Sequence, residues 1–177
     1  KRTNLSYYSN KYSFSAEEQM DIVDYDSSKR SPVEHLFQRA LCEEIFPLLE
    51  TGQSVKEDYD LFVKPHIEDL KIWSIFIEEE LMNFTFLGYC KLNLTPKQFV
   101  TKYREILSKG YGNRDYEGKL FRITEKGINS LLLSNSGEAY SLFTDEKITI
   151  SSYELHPTTR YRMFRIRRAM KKDGLTP

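Results

Sequence analysis

The residues that could do chemistry are scattered. His35, His66 and His156 each stand alone, without a Cys, His or acid at metal-ligand spacing. His66 follows Pro65 at what reads as a helix start, which suits a structural role. Asp21, Asp24 and Asp26 cluster, as do Glu78, Glu79 and Glu80, but solvated acidic faces are far commoner than metal sites made of such runs. Glu117-Gly118-Lys119, with Asp115 nearby, imitates the Glu-x-Lys of a nuclease site, yet no upstream acid lies on a convincing strand. There is no phosphate-cradling Gly-rich loop, no nucleophile elbow and no dinucleotide fingerprint. The pattern points to a binding module, not an enzyme, with no metal and no cofactor. Cys42 and Cys90 sit in apolar helical contexts by pattern and read as buried thiols of a reducing compartment.

The cations are better organised. Arg160 to Lys172 packs seven of them into thirteen residues: Arg160, Arg162, Arg165, Arg167, Arg168, Lys171 and Lys172. On a helix, Met163, Ile166 and Met170 make a narrow apolar stripe and cations cover much of the rest. Such a helix docks by its stripe and offers Arg to phosphate, to an acidic protein surface or to an anionic membrane. The net charge of zero hides an imbalance: residues 1–90 hold 9 Lys/Arg against 17 Asp/Glu, and residues 91–177 hold 17 against 9. Two faces with different partners would produce this, and so would one neutral globule whose halves attract.

The elements that must position these cations are mostly helical by pattern. Thr95, Pro96 and Gln98 form a capping box with Pro at the first helical position. Phe99, Val100, Tyr103, Ile106 and Leu107 then fall on one face of a helix, with Lys97, Gln98, Thr101, Lys102, Arg104 and Glu105 outside it. Gly110 and Gly112 end it. Ser15, Ser31 and Ser54, each followed three residues later by Glu, predict three earlier helices. Residues 65–84, apolar on more than one face, read as a central core helix, and Asn83 to Lys91 as a short one after it. Ser134 to Gly137 is a break, Lys147 to Tyr153 a β-branched strand, and Thr158 or Thr159 the cap of the basic helix. The Tyr-rich residues 1–14 read as an arm or a strand.

The run Leu120-Phe121-Arg122-Ile123-Thr124-Glu125-Lys126-Gly127, followed by Ile128 to Leu132, resembles the end of bacterial winged helix-turn-helix DNA-binding domains, where it marks the last wing strand and the start of the next helix. Ile106 to Gly110 sits where those domains end the recognition helix. The resemblance covers about residues 92–133. It implies a mainly α, α+β protein: an acidic helical N-terminal part (1–64), a winged-helix-like unit with a small β-wing (65–134), and a strand plus basic C-terminal helix (135–177). It further implies double-stranded DNA as partner. Lys97, Gln98, Thr101 and Lys102 would face the major groove, while Arg114, Lys119 and Arg122 on the wing would meet phosphate, joined by the cations of the last helix. Glu105 departs from this scheme, because on the outward face it repels phosphate. The alternative is a scaffold module docking an acidic protein partner or another copy. The chain begins at Lys1 rather than Met, which reads as a piece of a longer or processed protein. No apolar run approaches the roughly 20 residues that span a bilayer, so an intracellular protein is expected, cytoplasmic or nuclear.

Overall fold

A computed structural model describes residues 25, 31–46, 48, 55–78, 83–109, 120–156, 158–172 and 174. The expected helices at Ser15 and the cap at Ser54, the arm 1–14, and the wing residues Arg114 and Lys119 lie outside them. The elements run α1 (Pro32–Ala40), α2 (Val55–Asp58), β1 (Ile67–Glu78), β2 (Asn83–Leu92), α3 (Pro96–Ser108), β3 (Phe121–Ile123), α4 (Glu125–Ser134), β4 (Ser136–Ser141), β5 (Lys147–Ser151) and α5 (Thr159–Lys172). These elements divide between two compact units, one holding residues 72–89 and 120–174, the other 31–71 and 90–109. The β1–β2 ribbon contributes to both.

The first of these units is a helix-on-sheet layer. Its sheet has the order β3-β4-β5, antiparallel throughout, with Arg122 opposite Tyr140 and Ala139 opposite Ile148. Thr124 caps α4 by accepting from the Gly127 N–H at 3.2 Å. The helix stops where Asn135 turns left-handed (φ 59°), a conformation an Asn tolerates better than most residues. β4 begins at the next residue. Helix and strand touch backbone to backbone: a Cβ on Gly127 would collide with the Glu138 carbonyl, and one on Gly137 with the Gly127 carbonyl. Ile128 and Leu131 of α4, Ala139 and Ile150 of the sheet, Leu155 before α5 and Met163 of α5 close the core. A second cluster joins Ile166 and Ala169 of α5 to Leu87 and Tyr89 of β2, with Trp73 and Phe76 of β1 beside them.

The other unit is built from α1, α2 and α3 with the ends of the ribbon. Two π-helical turns, Leu41–Ile45 and Tyr59–Val63, continue α1 and α2. Phe46 and Val63 are fully buried, and Phe46 meets Phe99 of α3 edge to face at 5.4 Å. The Asn93 N–H donates to the His66 carbonyl at 2.9 Å, and Lys91 pairs with Glu68 at 2.6 Å.

This architecture corrects the expected fold class. The protein is α+β with two small sheets, not a helical N-terminal part leading into a winged-helix unit. Residues 67–92 are the clearest departure. Where the core helix 65–84 and the short helix after it were expected, Ile67–Glu78 and Asn83–Leu92 are two paired strands. The composition explains the change: Ile67, Ile72, Trp73, Ile75, Phe76 and Ile77 are β-branched or aromatic, and such side chains lose more freedom in a helix than on a pleated surface. Apolarity on several faces, which suggested a buried helix, is what a run of apolar residues also gives on the two faces of a strand. The predicted strand Leu120–Ile123 and the helix after it do form. Among the described residues, however, the partner of β3 is β4, on the far side of α4, and not a preceding wing strand. Ser31 stands at the start of α1 without the expected side-chain cap.

Candidate nucleic-acid interface

Cations of this chain meet two fates, and the difference defines the site. On α3 the capping box forms as expected: Thr95 accepts from the Gln98 N–H, and the Gln98 carboxamide oxygen accepts from the Thr95 N–H at 2.8 Å. That oxygen is thereby committed to the helix end. The Thr101 hydroxyl donates to the Lys97 carbonyl at 3.0 Å. Glu105 pairs with Lys109 at 2.6 Å and with Lys102 at 3.2 Å, and these two bonds hold its carboxyl below the usual carboxylate range. Lys97, Gln98, Thr101 and Lys102 do come together, in a shallow groove of about 280 Å³ with Glu105 at its end. The α3 face is therefore only partly neutralised, since Lys102 and Lys109 share the one carboxylate of Glu105. On the sheet, Arg122 is bound to Asp145 at 2.6 Å and lies over the Tyr140 ring at 4.7 Å, and Lys147 is bound to Glu138 at 2.5 Å.

Helix α5 differs. With 3.6 residues per turn, Thr159, Arg162, Met163, Ile166 and Ala169 share the buried arc. Arg160, Tyr161, Phe164, Arg168, Lys171 and Lys172 share the exposed one, flanked by half-buried Arg165 and Arg167. Among the described residues, Arg165, Arg167, Arg168, Lys171 and Lys172 have no carboxylate partner. The Nε of both Arg165 and Arg167 is screened from solvent and has no hydrogen-bond partner. Two of the five charges lie next to rings: the Arg165 guanidinium is 5.9 Å from the Tyr161 centroid, and the Lys172 ammonium 5.4 Å from that of Trp73. Two arginines serve the fold. Arg162 turns inward and is 8% exposed, while Arg160 donates to the Leu132 carbonyl at the end of α4, 2.7 Å away.

The chain matches no family model, no curated protein and no solved structure.

The site thus rests on its own geometry. Of the expected contact residues, Arg165, Arg167 and Arg168 are brought onto one face; Lys97, Gln98, Thr101 and Lys102 onto another; Arg122 is tied to Asp145; Arg114 and Lys119 are outside the described residues. Lys171 and Lys172 complete the α5 face. Tyr161 and Phe164 were not foreseen there. Their signal was in the sequence: with Met163, Ile166 and Ala169 inward, these two rings fall on the opposite side. The histidines stay apart in the fold, with His156 accepting from the Thr158 N–H just before α5. Among the described residues, no three His, Cys, Asp or Glu gather as a metal would require, and no helix is long and apolar enough to cross a membrane.

Proposed function

We propose that this chain is a nucleic-acid-binding module that holds the phosphate backbone through the outward face of α5. One observation carries the reading: five cations along the exposed arc of α5 and its flanks lack carboxylate partners among the described residues, whereas Lys102, Lys109, Arg122 and Lys147 are paired. Leaving like charges side by side on a helix is unfavourable. A polyanion relieves that repulsion and releases its own counterions in doing so. Met163, Ile166 and Ala169 anchor the helix from beneath, so its charges are presented on a rigid element about 21 Å long.

Fluorescence anisotropy with labelled oligonucleotides at two salt concentrations tests this. The slope of log affinity against log salt is about −0.9 per neutralised duplex phosphate, so five engaged cations set a limit of about −4.5. Charge reversal at Arg165, Arg167 and Arg168 should abolish binding. Affinity that ignores salt, or that survives the reversal, would refute the reading.

A second reading, docking of a protein partner, is favoured by a different observation. Ile72, Ile75 and Ile77 of β1 are about half exposed, and exposed apolar clusters often mark contact surfaces. Light scattering on the same samples separates the two. Substitution of Ile75 and Ile77 by Lys would alter assembly and leave oligonucleotide affinity intact.

A further inference from the structure

We infer that the α5 face prefers unpaired over double-stranded nucleic acid, because it sets two stacking rings among its cations; this rests on the phosphate-binding reading above. Tyr161 and Phe164 are 45% and 49% exposed. They lie three residues apart on α5, which makes them neighbours on the helix surface. Burial does not explain this placement, since the inward arc of α5 already closes both of its clusters without them. The Tyr161 ring is held in place: it meets Phe76 edge to face at 5.2 Å and lies beside the Arg165 guanidinium. Arg165 and Arg168 follow these rings at i+4 of each, so each ring has a cation about one turn further along the helix.

Each component selects for something different. Phosphates are present in both strand states, so the cations supply affinity without choosing between them. Base faces are covered by neighbouring base pairs in a duplex and open in an unpaired strand. A half-exposed ring can therefore stack on a base only when that base is free. Such stacking is tolerant of sequence, because every base has a π-face. An anionic lipid surface would engage the same cations and would offer no planar stacking partner.

The experiment compares a single-stranded oligonucleotide with its own duplex at one salt concentration, using the full chain. The single strand should bind at least about tenfold more tightly. The double substitution Tyr161→Ala with Phe164→Ala should remove that advantage while leaving duplex affinity and its salt slope unchanged. The pair Tyr161→Phe with Phe164→Tyr keeps both rings and should keep the preference, and a melting curve on each variant checks the fold. Equal affinity for both strand states, or an equal loss for both in the double-alanine variant, would overturn the preference but leave the phosphate reading standing. Binding of neither nucleic acid, with binding to phosphatidylserine-containing vesicles or with none at all, would overturn both.

Discussion

Burial pushes the Cys42 thiol up to about 12, with the charges of Asp58 and Glu43 adding to it, and Cys90 up to about 11, with Asp69 adding. Both thiols are therefore protonated at neutral pH and are poor nucleophiles. Iodoacetamide at pH 7.5 should modify neither in the native protein within minutes and both in denaturant; mass spectrometry reads the outcome. The same shifts bear on stability. The folded state keeps these protons while unfolded thiols lose theirs near 8.5, so stability should fall as pH rises from about 8.5 toward 11. Asp58 acts in the same direction at the acid end. It is 4% exposed, its Oδ1 has no hydrogen-bond partner among the described residues, and burial, then Glu57, raises its carboxyl above the ordinary value. A raised carboxyl costs stability once pH exceeds the unfolded value of about 3.9. Asp58→Asn should therefore stabilise by about 1 kcal/mol at pH 7, with the gain fading near pH 4. A gain identical at both pH values in urea titrations would rule out charge as its origin. That the cysteines are thiols in apolar surroundings was legible from their neighbours. The burial of Asp58 was not, because in sequence it stands in an acidic run that looks solvated.

Elements whose ends carry their own chemistry were the legible ones. Thr95, Pro96 and Gln98 specify the start of α3 locally, and Thr124 does the same for α4, so both helices begin where expected. Lys147 to Ser151 alternates as a strand should. The ribbon of residues 67–92 was hidden because its apolar residues satisfy a helical period as well as a strand, and only their branching argued otherwise. β4 was hidden for a different reason. Gly137 and Ala139 are small where α4 presses on the strand, and Ser136-Gly137 next to Asn135 looks like a turn. That pressure yields a prediction. Gly137→Ala should destabilise by about 1–3 kcal/mol, since its Cβ would have to displace the α4 backbone and Leu131. An alanine at Leu133, which is 83% exposed on the same helix, should cost less than about 0.5 kcal/mol. Chemical denaturation of both variants measures the contrast; similar losses would mean that the close approach of α4 and β4 is not maintained in solution. The candidate site was half legible. The cation run announces itself, but which arginines face out depends on where the apolar arc falls, and Arg162 falls inside it.

On the scale of the whole molecule, the chain enters and leaves each unit more than once. Residues 72–89 and 120–174 group together, and residues 90–109 group with 31–71. The charge imbalance between the sequence halves is therefore only partly carried over to the two units, although a cut near residue 90 in sequence suggests that it should be carried over whole. Separating the units by a single cleavage is impossible for the same reason. A protease nick anywhere in 110–119 should leave both fragments bound together on a sizing column under native conditions and release them only in denaturant. Synthesis on the ribosome adds a temporal consequence. Residues 25–109, which hold everything described of one unit, are complete before the first residue of β3 is made. The ribbon segment 72–89 emerges with them and must wait for α5, whose Ile166 and Ala169 cover Leu87 and Tyr89. During that interval Trp73, Phe76, Leu87 and Tyr89 are uncovered by α5, so the nascent chain passes through a stage that a hydrophobic-surface chaperone would bind. A truncation ending before Thr159 would hold the protein at that stage permanently.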